Sequence, residues 1–393
     1  MVLFVRGVIA GSFIERRDTQ TVSDVEKGGV YEGPDTVTWL QLFDADTMYR
    51  LPRLRRGVKH YTLGAVPDQD VAIPSPFVSA RHCRLVRTPL GLRVVDQRSK
   101  NGTYFEGRRR KSFYLEPGET FFVGTRVNRV LALNDLMHAH YPALTTILGF
   151  EDERVVPGET PSPSELIVTA VAGSHLLVTS EPHCDQDRLA HIVHAISLFR
   201  ERPLIAIDRA HGTPDTPGTP DAEGAQRARA LDRAATVVFD LEDHRDRIEP
   251  ALISRLFSPR YQTRVIALAR TSQVAKAALG ERYVKQMKHV RLVPLSSRTG
   301  AIHRLLDQLL AERGSSLRVG ALAPYNQAAL ARHRWGGNFA SLREAADRLV
   351  AAAREPSLRR AALALGVPPA TFHNWYSNIL GLTQPLLAEA RAP

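Results

Sequence analysis

Residues 79–103 of this chain read SARHCRLVRTPLGLRVVDQRSKNGT. Two short runs within this stretch, CRLVR and LRVVD, alternate apolar with polar residues, which is the pattern of a half-buried β-strand. The turn sequence PLG separates the two runs, and the polar sequences SARH and SKNG lie outside them. The stretch therefore predicts a β-hairpin whose flanking loops carry hydroxyl, amide and cationic side chains.

The same alternation continues on both sides of this hairpin, from residue 37 to residue 133. Further runs of this kind are VTWLQLF, HYTLG, TFFVG and RVLAL, and turn sequences such as PDQD and EPGE lie between them. Many short strands separated by turns are typical of a small all-β sandwich or barrel. We therefore predict an all-β domain at residues 31–137, which follows a flexible tail at residues 1–30.

Length and composition limit the class of protein. A chain of 393 residues predicts two or three domains. An apolar run long enough for a membrane span is absent from the sequence, and two distant cysteines, Cys83 and Cys184, cannot make a disulfide framework, so we expect a cytoplasmic protein. The net charge is +11, and residues 36–135 hold 17 basic against 9 acidic residues. Most of the positive charge therefore surrounds the predicted all-β domain.

Several spaced elements of residues 35–135 resemble the forkhead-associated (FHA) domain family. In chain order they are Gly64, SARH at 79–82, DQRSKNGT at 96–103, Gly107, LEPGE at 115–119 and Gly124. The resemblance implies an eleven-stranded β-sandwich that recognises phosphothreonine peptides. It also implies that Ser79, Arg81 and Lys100 contact the phosphate and that Asn101 holds the peptide backbone.

The residue types at these positions suit that chemistry. A phosphate of charge about −2 requires hydroxyl, amide and guanidinium donors that converge from loops on a rigid scaffold. Five residues between the predicted strands supply such groups: Ser79, Arg81, Ser99, Lys100 and Asn101. We expect structural roles for Gly102 and Thr103, and for His82 the role of a buried histidine bonded to backbone.

One residue departs from the FHA pattern. The family usually has arginine directly after the glycine that matches Gly64, whereas this chain has Ala65. Loss of a charge-assisted donor costs about 1.5–3 kcal/mol. Either a nearby cation, Arg55, Arg56 or Lys59, compensates for this loss, or the phosphate pocket is weak. The alternative is an inert FHA-like fold that serves only in protein contact.

The N-terminal tail contains a candidate ligand for such a domain. Thr19 and Thr21 follow the basic pair RR at residues 16–17, which is a plausible kinase substrate sequence. We expect either phosphorylated threonine to dock into an FHA pocket, in cis or in trans. A polar tail without this role is the alternative.

A different pattern begins after the acidic, proline-rich boundary at residues 151–165. Apolar runs (HLLVT, PLIAID, TVVFDL and RVIALA) alternate with helical segments, which predicts βαβ units and a parallel sheet. Residues 211–224 interrupt this pattern with a low-complexity insert of proline, glycine and aspartate.

Residues 151–350 resemble the AAA+ domain of bacterial enhancer-binding proteins, which activate the sigma-N form of RNA polymerase. The matching segments are HLLVTSEP at 175–182, TVVFDL at 236–241, RVIALA at 264–269 and WGGNF at 335–339. The resemblance implies an α/β domain, which we place at residues 138–310, and a helical lid at residues 311–350.

The residues that would hydrolyse ATP are missing from this AAA+-like region. A phosphate loop needs glycines and a lysine, but residues 180–187 read SEPHCDQD, with Gln186 at the lysine position. Further losses are Leu241 for the glutamate that activates water, Arg270 for the sensor asparagine and Ala340 for the lid arginine. Only Asp240 remains as a candidate magnesium ligand. We therefore predict an inactive, cofactor-free pseudo-ATPase, against the alternative of an active sigma-N-dependent ATPase.

Carboxylates and histidines near this loop do not change that prediction. Glu181, Asp185 and Asp187 would repel a triphosphate. His191 and His194 lie three residues apart on a predicted helix, with His183 and Cys184 before it. Without further clustered ligands these are ordinary helix histidines, and no metal site is predicted.

The C-terminal residues 351–393 predict two helices, SLRRAALALG and PPATFHNWYSNIL, broken by GVP. They resemble the factor-for-inversion-stimulation-type helix-turn-helix that ends enhancer-binding proteins. The expected core residues are Ala361, Ala362, Leu365, Val367, Phe372, Tyr376 and Ile379. The expected DNA-facing residues are Thr371, His373, Asn374, Ser377 and Asn378, with Arg359 and Arg360 near phosphates. The alternative is a helical pair that serves as a lid or a dimer contact.

Taken together, the sequence predicts a bacterial signalling protein that is not an enzyme. A Ser/Thr protein kinase marks a threonine, the FHA domain binds it, and a homo-oligomer formed through the AAA+-like body alters DNA occupancy. The expected partners are a phosphothreonine-containing protein or the chain's own tail, the kinase and DNA, with no membrane. The rival interpretation is a phosphopeptide-dependent scaffold that never binds DNA.

Overall fold

The structure is a computed structural model that describes residues 35–388 except 44, 46, 53–59, 151–159, 208–235, 242–247 and 249. Several parts of the sequence predictions lie outside the described residues: the tail at 1–30 with Thr19 and Thr21, the cations Arg55, Arg56 and Lys59, most of the boundary at 151–165, and the insert at 211–224. The chain divides into two compact units, Met1–Ala139 and His140–Pro393.

The first unit is an eleven-stranded β-sandwich, as the sequence predicted. Its strands are β1 (Trp39–Leu42), β2 (Met48–Arg50), β3 (His60–Gly64), β4 (Val71–Ala72), β5 (Cys83–Thr88), β6 (Gly91–Asp96), β7 (Thr103–Phe105), β8 (Arg108–Arg109), β9 (Ser112–Leu115), β10 (Thr120–Val123) and β11 (Arg129–Leu133). One sheet has the order β2-β1-β11-β10-β7-β8 and the other has the order β4-β3-β5-β6-β9. Strands β3 and β4 pair in parallel, and the other pairs are antiparallel.

Alternate residues of the strands fill the core of the sandwich. In β5, Cys83 and Leu85 are buried while Arg84 between them is exposed, and β6 repeats this pattern around the exposed Arg93. Successive side chains of a strand point to opposite faces of the sheet. Arg84 and Arg93 therefore lie on the outer face, and the polar sequences SARH and SKNG fall in the connecting loops.

The second unit contains a five-stranded sheet in which every pairing is parallel. Its strands are β12 (Leu176–Thr179), β13 (Leu204–Ile207), β14 (Thr236–Asp240), β15 (Arg264–Ala269) and β16 (Lys288–Arg291). They lie in the order β13-β14-β15-β12-β16. Strands β12 and β15 are buried along their whole length, as expected when both faces of a parallel sheet are covered. The predicted α/β architecture is confirmed.

The described residues between 135 and 291 contain six α-helices. They are α1 (Asp135–Leu148), α2 (Pro163–Val171), α3 (Gln186–Ala195), α4 (Pro250–Leu256), α5 (Ser272–Leu279) and α6 (Glu281–Val284). The predicted start of the α/β domain, residue 138, falls inside α1. Strand β12 lies between β15 and β16, whereas the next strand along the chain, β13, lies at the far edge. The carboxyl end of β12 is thus at a topological switch point, where open α/β sheets place their ligands.

A buried arginine joins β15 to the ends of two helices. Arg264 has no exposed surface, and its guanidinium donates to the carbonyl of Val193 at 3.2 Å and to the carbonyl of Ala170. These carbonyls lie in the last turns of α3 and α2, where helices leave acceptors unpaired and carry partial negative charge. Burial lowers the pKa of Arg264 to about 10, so the side chain remains a cation that caps both helices.

The C-terminal part of the second unit is helical. Its helices are α7 (Ile302–Glu312), α8 (Pro324–Arg332), α9 (Asn338–Arg354), α10 (Leu358–Ala364) and α11 (Pro369–His373), which continues as a π-helical turn, Asn374–Ile379. One hydrophobic cluster extends through all of them, from Leu295 to Leu386. The predicted boundaries at residues 310 and 350 fall inside α7 and α9. The lid and the C-terminal helices therefore share a core, which the predicted division had separated.

None of the helices in the described part of the chain is both long and apolar enough to cross a membrane.

Candidate functional site

Two loops of the first unit meet at the carboxyl end of β6. One loop precedes β5 and carries Ser79 and Arg81, and the other joins β6 to β7 and carries Lys100 and Asn101. The Oγ of Ser79 accepts a hydrogen bond of 3.1 Å from the backbone N–H of Lys100. Nδ2 of Asn101 donates to the carbonyl of Phe77 at 2.8 Å. Hydrogen bonds between the two loops therefore bring these four predicted site residues together.

A buried histidine lies beneath both loops. His82 has no exposed surface. Its Nδ1 is 3.1 Å from the backbone N of Ser79, and its Nε2 is 3.1 Å from the carbonyl oxygen of Gly102. Because an N–H only donates and a carbonyl only accepts, Nδ1 is unprotonated and Nε2 carries the hydrogen. Burial lowers the pKa of His82, which keeps the imidazole neutral. The predicted structural role of His82 is confirmed.

The loop between β6 and β7 is closed by a carboxylate. Asp96 accepts hydrogen bonds from the hydroxyls of Ser99 and Thr103, at 2.5 and 2.8 Å, and from the backbone N–H of Ser99 at 3.0 Å. Burial raises the pKa of Asp96, but these hydrogen bonds outweigh it, and the pKa lies below its ordinary value. The Oγ of Ser99 also accepts from the N–H of Gly102 at 3.0 Å.

These contacts correct the predicted role of Ser99. Its side chain was expected to supply a donor to phosphate, but Ser99 is only 4% exposed and its hydroxyl proton is given to Asp96. Ser99 therefore shapes the loop from inside. In contrast, Arg81 and Lys100 are exposed, and Ser79 and Asn101 are partly exposed. The solvent-facing set is thus two cations, one hydroxyl and one amide.

Glycine is required at the end of β3. A Cβ built on Gly64 would lie 2.0 Å from the carbonyl oxygen of Ala80, so only glycine allows this strand to approach the loop of Ser79 and Arg81. The backbone N–H of Ala65 donates to the carbonyl of Ser79 at 3.0 Å. Ala65 therefore supports the same loop through its backbone, while its methyl group has no charge to give to a phosphate.

The predicted phosphate loop of the second unit lies between β12 and α3. His183 and Asp185 in this loop have φ angles of 62° and 63°, in the left-handed region that favours glycine. A non-glycine residue there costs on the order of 1 kcal/mol. Burial and the carboxylates of Asp240 and Asp185 raise the pKa of Asp187, so the surroundings of this loop disfavour additional negative charge.

The N-terminus of α9 closes over the same loop. Asn338 is 1% exposed, and its Nδ2 donates to the carbonyl of Pro182 at 2.9 Å while its Oδ1 accepts from the N–H of Leu295 at 2.9 Å. The N–H of Phe339 donates to the carbonyl of His183 at 3.0 Å. The backbone of the loop is thereby bound to the helix that follows the sequence WGGNF.

A further residue of α9 provides the loop with a cation that the sequence analysis missed. The guanidinium of Arg343 forms an ion pair with the carboxylate of Asp185, whose side chain is only 7% exposed. Arg343 lies three residues after Ala340, the position where the resemblance expects the lid arginine. The two partners are 158 residues apart in sequence, so no local pattern signals the contact. The carboxylate of Asp185 is thus paired with Arg343, a cation of the kind that a phosphate group would attract.

The histidines near this loop have other partners. Nδ1 of His191 is 2.8 Å from the carbonyl oxygen of Asp187, and Nδ1 of His194 is 2.9 Å from Oγ1 of Thr236. Cys184 is buried. The described part of the chain contains no group of three or more histidine, cysteine, aspartate or glutamate residues that could hold a metal ion.

Most of the residues predicted to face DNA are exposed. Arg359, Arg360, Thr371, His373, Asn374 and Asn378 are exposed, and Ser377 is partly exposed. Nδ2 of Asn378 donates to Oδ1 of Asn374 at 2.8 Å. The surface they form therefore combines two arginines with amides and hydroxyls.

The small core beneath this surface differs from the predicted one. Ala361, Ala362, Phe372 and Tyr376 are buried as expected, but Leu365 and Ile379 are 37% and 52% exposed. Trp375 and Leu380, which were not expected in the core, are buried. The reason for the shift after His373 is the π-helical turn, in which the N–H of Leu380 donates to the carbonyl of Trp375. The wider turn moves Ile379 out of the core and Leu380 into it.

Comparison with known proteins identifies the first unit. The model of the FHA domain family matches residues 61–124. The chain therefore contains an FHA domain, a module that implies phosphothreonine-dependent signalling. A curated relative, the ABC transporter ATP-binding/permease protein of Mycobacterium tuberculosis, is 29% identical over 135 residues, which cover 33% of this chain but only 16% of the relative's length.

Two solved structures are similar to different parts of the chain. EmbR of Mycobacterium tuberculosis, in complex with a low-affinity phosphopeptide, is 21% identical over 29% of this chain and 28% of that chain, with a TM-score of 0.23. NtrX from Brucella abortus, in complex with ADP, is 15% identical over 63% of this chain and 73% of that chain, with a TM-score of 0.37. The identification of the first unit rests on the family match.

The contact between Arg343 and Asp185 can be tested by stability. We expect Arg343→Ala to lower the free energy of unfolding of the second unit by about 1–3 kcal/mol, because the buried carboxylate loses its cation. Hydrogen exchange of the full chain, followed by mass spectrometry at residues 180–187, measures the change locally.

Arg188→Ala is the matched control, since Arg188 is 3.8 Å from the same carboxylate but half exposed. An exposed pair of this kind contributes less than about 1 kcal/mol. Equal exchange of residues 180–187 in both variants would contradict the role assigned to Arg343.

Proposed function

We propose that this chain is a phosphothreonine-dependent transcriptional regulator, in which the FHA domain binds a phosphorylated partner and the C-terminal helices bind DNA. The observation that carries the proposal is the pair of loops above His82, which hold Ser79, Arg81, Lys100 and Asn101 together on the surface. Rigid loops that present several donors are suited to a phosphate group.

Each residue of this group has a distinct task. Arg81 and Lys100 provide the positive charge for a phosphate of about −2. The hydroxyl of Ser79 accepts from Lys100 and keeps its own proton for a phosphate oxygen. Nδ2 of Asn101 is bonded to Phe77, so its Oδ1 remains as an acceptor for a backbone N–H of the peptide.

The proposed partners follow from this chemistry. The ligand is a phosphothreonine-containing protein, or the chain's own tail phosphorylated at Thr19 or Thr21, and a Ser/Thr protein kinase produces the mark. Binding a tail in trans would assemble copies of the chain into a homo-oligomer. Assembly would raise the affinity of weak DNA contacts through their effective concentration.

The α/β body is proposed to be an inactive pseudo-ATPase without cofactor. Its loop at residues 180–187 lacks glycine and lysine, and the loop is already bound to α9 through Asn338 and Arg343. A triphosphate would have to replace these contacts in the presence of Asp185, Asp187 and Asp240. Repulsion by the carboxylates makes that exchange unfavourable.

DNA binding is proposed for the surface of α10 and α11. Arg359 and Arg360 suit phosphate contacts, and asparagine pairs with adenine in the major groove. The hydrogen bond between Asn378 and Asn374 must open before Asn374 can make a bidentate contact. A phosphopeptide-dependent scaffold that does not bind DNA is the competing function.

The FHA site can be tested with a phosphothreonine peptide. Full-length protein is expected to bind labelled peptides of residues 12–26 phosphorylated at Thr19 or at Thr21, or members of a degenerate phosphothreonine library, and to ignore unphosphorylated forms. Arg81→Ala should weaken binding about 10- to 100-fold, because a charged hydrogen bond contributes about 1.5–3 kcal/mol. Fluorescence anisotropy measures both. Arg84→Ala, an exposed arginine on β5, is the control, and equal losses in the two variants would contradict the assigned role of Arg81.

The pseudo-ATPase proposal predicts no ATP turnover. Phosphate release by the full chain should equal that of Asp240→Asn, since Asp240 is the one catalytic position that survives in the motif. Arg343→Ala should remain inactive as well, because opening the loop does not restore its lysine. Turnover that Asp240→Asn abolishes would contradict the proposal.

DNA binding is expected to depend on the C-terminal surface. Labelled DNA fragments from around the chain's own gene should bind the full-length protein more tightly at low salt, since phosphate contacts release counterions. The double variant Arg359→Ala/Arg360→Ala should lose about two units of the salt slope. Arg282→Ala, on α6, changes one cation outside this surface and serves as control. If neither the full-length protein nor the variants bind DNA at low salt, the result favours the scaffold function.

A further inference from the structure

A basic concave surface lies on the outer face of the FHA sandwich. Its volume is about 670 Å³, and it is lined by Arg93, Arg98, Arg109, Arg110 and Lys111. All five of these residues are exposed. We refer to this surface as the basic groove. The loop residues Arg81, Lys100 and Asn101 do not line it, so it lies beside the site that these side chains form.

The positive charge of the basic groove is poorly neutralised by its surroundings. Asp96 also lines it, and its carboxylate offsets one of the five positive charges. Glu106 is 4.0 Å from the guanidinium of Arg110, at the limit of an ion pair. Five cations held together on one face create a positive potential that favours an anionic ligand.

The basic groove is connected to the phosphothreonine loops through shared residues. Nη2 of Arg109 donates to the carbonyl of Ser99 at 3.0 Å, directly before Lys100. Arg98, two residues before Lys100, has a φ of 58°, a left-handed conformation that a non-glycine residue adopts at a cost. One loop thus presents Lys100 to the phosphate site and Arg98 to the basic groove.

We infer that the basic groove binds an acidic segment of the same partner chain whose phosphothreonine occupies the loops of Arg81 and Lys100. This inference rests on the proposed phosphothreonine function and names the ligand class more closely. An extended peptide advances about 3.3 Å per residue, so a few acidic residues beside the phosphothreonine span a concavity of this size. Duplex DNA is a rigid cylinder that is wide compared with a concavity of about 670 Å³, so it enters the groove less well than an extended peptide.

The expected consequence is a gain in affinity that depends on two anionic groups in one peptide. Once the phosphothreonine is bound, the acidic segment meets the basic groove at a high effective concentration. The gain should be about tenfold or more at low salt and should shrink as salt is added, because the groove is open to solvent.

The test compares three kinds of labelled peptide, the second of them in two versions, by fluorescence anisotropy with the full-length chain. The first has phosphothreonine between neutral residues. The second adds four glutamates after the phosphothreonine, and a version with the glutamates before it tests the opposite direction. The third has the glutamates and an unphosphorylated threonine. A short DNA duplex is measured alongside as the competing polyanion.

The variant R110E/K111E removes charge from the basic groove and leaves Arg98 and Arg109, which touch the phosphothreonine loop, in place. This variant should bind the first peptide with the affinity of the natural chain. Its affinity for the second peptide should no longer exceed its affinity for the first. The matched control is Arg50→Glu, an exposed residue on β2, which is the edge strand opposite β8 in its sheet; this variant should keep the higher affinity for the second peptide.

The outcomes separate this inference from the function on which it rests. In one outcome the first peptide does not bind, the third peptide binds, and R110E/K111E abolishes binding of the third peptide. The basic groove then binds acidic peptides, and the proposed phosphothreonine function is wrong. If the first peptide binds and glutamates on either side add nothing, the inference is overturned. It is also overturned if the advantage persists in R110E/K111E, or if that variant loses only the binding of DNA.

Discussion

The contact of His82 with two loops is the constraint on which the FHA site depends. Its imidazole joins the N–H of Ser79 to the carbonyl of Gly102, and it can do so only in the neutral form. A protonated ring would place an N–H against the N–H of Ser79 and lose that bond. Burial lowers the pKa of His82 and so keeps the ring neutral. The neutral ring, with its hydrogen on Nε2, can bond to both loops at once.

The loop between β12 and α3 is held in place by side chains of the second unit itself. The loop after β12 retains left-handed turns at His183 and Asp185, although neither residue is glycine. The cost of these turns is offset by the bonds to Asn338 and by the ion pair of Asp185 with Arg343. Arg264 fixes the far end of α3 through its carbonyl contact. Both ends of the helix that follows the loop are thus held by internal contacts.

The sequence predicted the features that follow from local hydrophobic periodicity. It did not predict the features that depend on contacts between distant residues. Alternation around Arg84 and Arg93 predicted the strands of the sandwich, since each residue's face follows from its neighbours. The burial of Ser99 depends on Asp96 and Gly102 folding back onto it. The π-helical turn that exposes Ile379 breaks the 3.6-residue period on which the core prediction relied.

The number of basic residues could likewise be read from the sequence, whereas their positions on the surface could not. The excess of basic residues at 36–135 was visible in the sequence, but a sum does not distinguish scattered cations from a cluster. The fold brings Arg93 of β6 and residues 109–111 into the lining of one groove, because β9 pairs with β6 and directly follows β8. The positive field therefore borders the phosphothreonine loops rather than the C-terminal helices. Phosphopeptide recognition is consequently the function that the charge of this chain favours most, since the excess of basic residues around Arg359 and Arg360 is smaller.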